Sequence, residues 1–239
     1  MTTSAIAHKS QESYQGRTGV VTMLDVLGWK GIYLREANPI NVLERLIERL
    51  SADDLTRGLV SEVDLKSISD TIVLFSVVEE DDAVAAIEAH GAICGEAIAH
   101  SIAAHIPVRG ATSYGDFQAR KNVYVGRAID EAAAWHEMAE WIGVHLTPSA
   151  SLMVDRQLDN WVDYEPPLKR GLRCNTHCVR WIRNWQSVSD DDEALHKLRS
   201  TFRSMGPLVP EIAPKFENTR KFAEEQLEAI RVAQEAETS

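Results

Sequence analysis

Two aspartates at the ends of apolar segments are the residues in this sequence best placed to do chemistry. Asp25 closes a valine-rich segment, and a turn signal follows it at Gly28. Asp70 lies between two further apolar segments and shares the short gap between them only with Ser69. Carboxylate oxygens are ligands that Mg²⁺ and Mn²⁺ prefer, so two acids that converge in the fold would form a divalent-metal site.

Each aspartate alone has an ordinary structural explanation. An aspartate after a strand often caps the next helix, and a Ser-Asp pair is common in hairpin turns. The metal interpretation therefore depends on whether the surrounding elements bring Asp25 and Asp70 together.

Apolar periodicity predicts the elements that position these acids. A strand over residues 19–26 carries Asp25 near its end, and a turn into a first helix follows over 27–36. Asn38 as N-cap and Pro39 at the first helical position begin a second helix, whose apolar face runs over 41–50. The remaining elements are predicted in this order: strands 59–68 and 71–78, helix 82–104, strands 106–111 and 122–125, helix 126–140, strand 141–146 and a helix from Pro148.

The order of these elements predicts an α+β fold. Strands 59–68 and 71–78 are so close in sequence that they form a hairpin, which excludes a purely parallel, doubly wound sheet. The pattern favours a ferredoxin-like βαββαβ unit with a mostly antiparallel sheet. In that unit the first strand lies beside the third, so we expect Asp25 and Asp70 to approach each other.

The chain of 239 residues is long enough for one core and an appendage. Residues 1–16 are predicted to be a flexible polar tail, and residues 17–155 the α+β domain. Residues 156–239 are predicted to be a C-terminal extension that packs on the domain or on a second subunit. The elements expected in the extension are a strand over 176–185 and helices over 192–205 and 215–236.

Composition excludes several kinds of partner. A formal net charge of −11 repels the phosphate backbone of nucleic acids, and no apolar run approaches the ~20 residues that span a bilayer. The polar N-terminus lacks the apolar core of a signal peptide, and three cysteines fit a reducing compartment better than a disulfide framework. We therefore expect a cytoplasmic protein that binds neither nucleic acid nor membrane.

Other chemically active side chains are better explained by packing. Cys174, His177 and Cys178 have no fourth zinc ligand at a suitable spacing. Histidines of the long helix are expected at its surface or at its ends, and tryptophans of the C-terminal region are expected in the core. These histidines and tryptophans are His90, His100, His105, Trp161, Trp181 and Trp185.

Segments spread over residues 18–150 resemble the class III nucleotidyl cyclases, in the same order and at similar spacing. Residues 23–29 resemble the strand that carries the first metal ligand of that family, and 68–71 resemble its second acidic hairpin. Residues 108–115 resemble its fourth strand, and 125–132 resemble its transition-state helix. Within the family, the hairpin and the fourth strand are most similar to the pyrimidine cyclases of the bacterial Pycsar antiphage system.

The resemblance implies a catalytic domain that binds two Mn²⁺ or Mg²⁺ ions. Asp25 and Asp70 would supply the carboxylate ligands, and the backbone carbonyl of Val26 would add a third. Such a pair of ions activates an attacking oxygen and neutralises a leaving phosphate.

Substrate contacts are implied by the same resemblance. The helix that opens after Asp25 offers backbone amides to phosphate. Lys66 occupies the base-reading position, and the basic segment before the fifth strand lies where the family binds triphosphate. A solvent-facing lysine and a solvated loop are the equally weighted alternatives for these two. Core packing is the favoured role of Trp29, and Arg109 is interpreted as a buried ion-pair partner. The candidate substrate-binding residues are Leu27, Gly28, Trp29, Lys30, Lys66, Arg120, Lys121 and Asn122.

The helix after the fifth strand departs from the family pattern. Many members carry an asparagine there and an arginine four residues later, where this sequence has Asp130 and Ala134. The guanidinium that would stabilise phosphate charge is missing. Arg127 is the candidate replacement, and the alternative is that catalysis rests mainly on the metal ions. The expected catalytic set is Asp25, Asp70, Arg127 and Asp130.

We therefore expect a head-to-tail homodimer that converts UTP to 3′,5′-cyclic UMP and pyrophosphate. The resemblance further implies that a separate effector protein reads the cyclic nucleotide during antiphage defence. A cyclase for CTP, ATP or GTP is the alternative enzyme. A catalytically silent, cyclase-like dimer that binds nucleotide is the alternative from another class.

Overall fold

The computed structural model describes residues 14–30, 32, 36–52, 59, 61–120, 123–189, 194–206 and 208–237. The strands are β1 (Tyr14–Val26), β2 (Asp64–Ile68), β3 (Thr71–Val77), β4 (Val108–Arg120), β5 (Val123–Val125), β6 (Val144–Leu146), β7 (Trp161–Tyr164) and β8 (Thr176–Val179). The helices are α1 (Pro39–Leu50), α2 (Ala83–Ala103), α3 (Arg127–Met138), α4 (Pro148–Ser151), α5 (Ile182–Ser189), α6 (Ala194–Ser204) and α7 (Ala213–Glu237).

All eight strands join one sheet in the order β2-β3-β1-β4-β6-β8-β7, and β5 pairs with β4. Only the β4–β6 pair is parallel among the strand pairs of the described residues. The sheet is mixed but mostly antiparallel, and β1 lies between β3 and β4, as the βαββαβ pattern predicts. The predicted α+β fold class is confirmed.

The two faces of β1 pack against different helices, because side chains alternate across a strand. Val20 and Leu24 belong to the main core, which includes the buried side chains of α1 and α2. Val21 belongs to a smaller cluster with Phe75 of β3 and Ala128 of α3. Asp25 is four residues from Val21 and therefore faces the side of the sheet that carries α3.

Several predicted elements end at different residues in the structure. β1 begins at Tyr14, so residues 14–16, predicted as tail, belong to the strand. β2 begins only at Asp64, and β4 continues to Arg120 because it pairs along its length with β1 and then with β5. Residues 27–28 form a turn, and much of the helix predicted over 27–36 lies outside the described residues.

The predicted strand over 176–185 is wrong in its second half. β8 ends at Val179, and α5 begins at Ile182, so Trp185 is on a helix. Trp161 lies on β7, a strand that was not predicted from the sequence. The tryptophans of this region are nevertheless core residues, each exposed by at most 1% of its surface.

The expectation that His90 lies at a helix surface or end is also wrong. Its ring is fully buried between α2 and the sheet, where Nδ1 is 2.8 Å from Thr22 Oγ1 and Nε2 is 3.1 Å from Ser76 Oγ. Among the described residues, we find no helix with the length and apolar character needed to cross a membrane.

Candidate active site

The end of β1 meets the turn of the β2–β3 hairpin. The backbone N–H of Val26 donates a hydrogen bond of 3.2 Å to the carbonyl of Asp70. Asp25 is in register with Thr71 of β3, the residue that follows Asp70. The two aspartates therefore lie at the same end of neighbouring strands, with one backbone hydrogen bond linking their segments.

β4 pairs with β1 on the side away from β3, and its Arg109 is in register with Asp25. The two side chains form an ion pair. Arg109 Nε and Nη2 donate to Asp25 Oδ2 at 3.3 and 3.2 Å. Its Nη1 donates to the carbonyls of Glu137 and Ala139 at 3.1 and 3.0 Å. The Arg109 side chain is only 12% exposed. Burial and these acceptors therefore hold its guanidinium in one orientation.

The donors at this corner fit an oxygen-ligated divalent ion. Asp25 Oδ1 has no hydrogen-bond partner among the described residues, and Asp70 is partly exposed in its turn. No group of three or more His, Cys, Asp or Glu side chains in the described part of the chain could hold a metal ion. A metal here would therefore rely on the two aspartates, the Val26 carbonyl and oxygens of a bound phosphate.

Two buried histidines that sequence reasoning missed lie behind this corner. His136 Nδ1 donates to Ala132 O at 3.2 Å, and burial lowers its pKa, although the Ala132 hydrogen bond and the charge of Asp25 raise it in part. His145 is fully buried on β6, and burial lowers its pKa to about 4. Both histidines are therefore neutral at pH 7. The inward-facing position of His145 on a three-residue strand gave no sequence signal.

The turn after Asp25 differs in part from the predicted phosphate cradle. The N–H of Leu27 already donates to Pro107 O at 2.8 Å, and its side chain is buried, so it is a poor phosphate ligand. Trp29 packs against the main core, as the favoured interpretation held. Gly28 adopts a left-handed φ of 72° and is exposed, as is Lys30.

Lys66 lies on the same face as Asp25 but is not adjacent to it. It is exposed on β2, two residues before Ile68, and Ile68, Thr71 and Asp25 are in register across three strands. Strand geometry places the Lys66 backbone about 12 Å from that of Asp25. Arg120 is at the far end of β4, about 35 Å from Arg109 along the strand. Lys121 and Asn122 lie outside the described residues.

Arg127 and Asp130 are at the end of α3 remote from Asp25. Both are exposed in its first turn, whereas Arg109 contacts the last turn of α3 through the Glu137 carbonyl. At 1.5 Å per residue, about 10–15 Å of helix separates them from that contact. One chain thus brings together Asp25, Asp70 and Arg109, and leaves Arg127 and Asp130 apart from them.

Comparison with known proteins identifies this architecture. The adenylyl cyclase CyaB from P. aeruginosa superposes with a TM-score of 0.51 at 13% identity, over 70% of this chain and 95% of that one. A guanylyl cyclase domain of the aquatic fungus Blastocladiella emersonii gives 0.52 at 15%, over 70% and 97%. A rhodopsin-guanylyl cyclase core with converted specificity, in complex with ATPαS, gives 0.50 at 16%, over 70% and 98%.

The chain has the fold of a class III cyclase catalytic domain. No protein-family model matches the sequence, and no curated protein matches it. At these identities the likeness concerns the fold, and it covers nearly the whole of each cyclase domain but leaves about 30% of this chain outside the match.

Proposed function

We propose that this protein is a metal-dependent nucleotide cyclase that acts on a ribonucleoside triphosphate, with UTP as the expected substrate. The observation that carries the proposal is the corner of the cyclase fold where Asp25 and Asp70 lie at neighbouring strand ends. An arginine paired to one of them completes a group that suits triphosphate chemistry.

The reaction requires the 3′-hydroxyl of the ribose to lose its proton. The O3′ atom then attacks the α-phosphorus in line, the bond to the bridging oxygen breaks, and pyrophosphate leaves with that electron pair. Asp25, Asp70 and the Val26 carbonyl would hold two Mn²⁺ or Mg²⁺ ions, which when bound would lower the pKa of the hydroxyl and neutralise the leaving phosphate. Arg109, fixed beside Asp25, directs positive charge to the same place.

We further propose a head-to-tail homodimer with composite sites. Arg127 and Asp130 are too far along α3 to reach Asp25 of their own chain, yet both are exposed and available to a partner. Asp25 and Asp70 of one subunit would face Arg127, Asp130 or Lys66 of the other. Lys66, on the same face of the sheet as Asp25, is the proposed base-reading residue.

The pyrimidine assignment rests on the resemblance to Pycsar cyclases. Asp130 and Ala134 replace the asparagine and arginine of many family members, which argues against a simple transfer of purine specificity. The comparison proteins carry names of adenylyl and guanylyl cyclases, and CTP or a purine triphosphate is therefore the alternative substrate. A cyclic UMP product would be read by a separate effector in antiphage defence.

A second candidate function is a catalytically silent module that binds nucleotide. The observation that favours it is the Arg109–Asp25 ion pair, which engages one oxygen of the proposed metal ligand, together with the missing arginine at Ala134. The same assay separates the two functions.

The test is incubation of the purified protein with each ribonucleoside triphosphate and Mn²⁺, followed by chromatography and mass measurement of products. We expect cyclic UMP, and we expect Asp70→Ala to reduce its formation at least 100-fold because the two proposed metal ions lose a carboxylate ligand. Asp155→Asn is the control and should retain activity, because Asp155 is an exposed acid in the segment between α4 and β7. Turnover of no triphosphate by the wild-type dimer would favour the silent module.

A further inference from the structure

The C-terminal helix α7 is hydrogen-bonded to the segment that joins α3 to β6, residues 139–143. Lys215 Nζ donates to Glu140 Oε1 at 2.9 Å, and Asn218 Nδ2 donates to the Glu140 carbonyl at 2.9 Å. Thr219 Oγ1 accepts from the N–H of Ile142 at 2.7 Å. Three side chains of one helix thus hold Glu140 and the backbone N–H of Ile142.

The same segment holds the guanidinium of the candidate active site. The carbonyl of Ala139, directly before Glu140, accepts from Arg109 Nη1 at 3.0 Å. Arg109 in turn donates twice to Asp25. Hydrogen bonds from α7 to Glu140 and Ile142, and from Arg109 to the adjacent Ala139 carbonyl, therefore connect α7 to Arg109 and Asp25 through the backbone of residues 139–142.

Apolar packing also buries α7. Phe222 of the same helix supplies the packing, with its ring centroid 4.9 Å from that of Trp141 and 4.8 Å from that of Tyr164. By contrast, the Lys215 side chain is only 7% exposed, and a buried ammonium is costly unless its partner is in place. The buried Lys215–Glu140 pair consequently favours one placement of the segment over shifted ones.

We propose that α7 is a positioning element for the candidate active site, with Lys215 and Asn218 as positioning residues for Arg109. The catalytic part of this proposal rests on the cyclase function proposed above, while the structural part does not. It gives the C-terminal extension a role at the active site: the helix sets where the Ala139 carbonyl lies and so how Arg109 meets Asp25.

The first test needs no turnover. A hydrogen-bonded arginine side chain gives its own Nε–H signal in a ¹H–¹⁵N spectrum, and Arg109→Lys identifies the signal that belongs to Arg109. We expect Asn218→Asp, which sets a carboxylate against the Glu140 carbonyl, and Lys215→Met to shift or broaden this signal. Arg231→Ala, which removes two exposed ion pairs further along the same helix, is the control and should leave the Arg109 signal unchanged.

The second test is kinetic and uses the same variants. We expect Asn218→Asp and Lys215→Met to lower kcat about 5- to 50-fold with less than a twofold change in KM, because Arg109 acts on charge that develops during the reaction. Lys215→Arg should recover most of kcat, and the thermal unfolding midpoint identifies any variant that fails to fold.

The outcomes separate this proposal from the proposed function. An Arg109 signal that is unchanged in folded Asn218→Asp and Lys215→Met overturns the positioning role, whatever the activity. A shifted signal in a protein that turns over no triphosphate supports the structural connection and counts against the cyclase function. A shifted signal with unchanged kcat overturns the role of α7 in catalysis.

Discussion

At the scale of single residues, the Arg109–Asp25 ion pair links the two candidate functions. An arginine beside a metal ligand competes for one carboxylate oxygen, but it also provides the positive charge that a triphosphate needs near the reacting phosphorus. Its Nη1 is tied to two backbone carbonyls, so the guanidinium is held in place rather than free to follow Asp25. A fixed cation of this kind suits electrostatic stabilisation, because no reorganisation is required when charge develops.

His145 allows a test of how this interior responds to pH. Its ring is fully buried, and neither ring nitrogen has a hydrogen-bond partner among the described residues. Burial, with a smaller contribution from His136, lowers its pKa from 6.5 to about 4. Between these values the unfolded chain binds a proton that the folded chain does not, so this histidine makes the protein less stable as the pH falls below 6.5.

We expect His145→Met to be more stable than the wild type, and the difference in free energy of unfolding to grow by about 2 kcal/mol from pH 7 to pH 5. The measurement is denaturant unfolding of both proteins at each pH. His145→Gln is the matched control, because it keeps a polar group in the core but cannot titrate. A difference that is the same at both pH values would contradict the assignment of His145 as a buried neutral group.

The sequence allowed the two aspartates and an ion-pair role for Arg109 to be predicted, but not that the partner of Arg109 is Asp25. Asp25 lies near the end of an apolar strand, and Asp70 lies in a two-residue gap between two strands. Both patterns are local in the sequence. The pairing of Asp25 with Arg109 depends on the register between β1 and β4, which are distant in the chain, and an arginine within a strand gives no local sign of its partner. His145 was missed because β6 has only three residues, too few for a periodic pattern to show that it faces inward.

At the scale of elements, prediction succeeded where local chemistry is strong. α1 begins at Pro39 as predicted, with Asn38 at the N-cap position although its side chain makes no cap hydrogen bond, and the gap at Ser69–Asp70 marks the β2–β3 hairpin. Prediction failed for Trp185, because aromatic residues are common in strands. In the structure Trp185 lies on a helix, where it is buried and donates a hydrogen bond to the Ala194 carbonyl of α6. Tertiary contacts decided those bounds, and a single sequence does not display them.

The pairing of β1 with β4 places Arg109 beside Asp25, so the geometry of the candidate active site depends on it. Gly110 follows Arg109, and a Cβ atom there would lie 2.5 Å from the carbonyl oxygen of Met23 and 2.7 Å from Leu24 Cδ2. We expect Gly110→Ala to lower the free energy of unfolding by about 1–3 kcal/mol, because the strands must separate to admit the methyl group. Denaturant unfolding measures the loss, and Gln118→Ala at an exposed position of β4 should change it little. Equal losses in the two variants would show that the close approach is not restrictive.

At the scale of the whole molecule, the distribution of charge argues for sites shared between subunits. With a net charge of −11, the protein has no general attraction for a triphosphate, so binding must come from local cations and bound metal. Lys30 follows Asp25 closely in the chain, but the other candidate cations apart from Arg109 are dispersed: Lys66 lies on the edge strand of the sheet, Arg127 at the remote end of α3 and Arg120 at the far end of β4. A second copy of the chain, placed head to tail, is the simplest way to assemble them around Asp25 and Asp70.

Mixing two inactive variants tests this architecture. Asp70→Ala disables the metal half of a composite site, and Arg127→Ala disables the other half, so each homodimer is expected to be inactive. Random pairing of equal amounts gives half mixed dimers, each with one intact site of two, so about a quarter of wild-type activity should return on co-expression. Asp25→Asn mixed with Asp70→Ala is the matched control: both changes affect the same half, so no mixed dimer has an intact site. Recovery in the control, or none in the test pair, would show that the site is not shared in this way, and Arg127 would then have no route to the reacting phosphate.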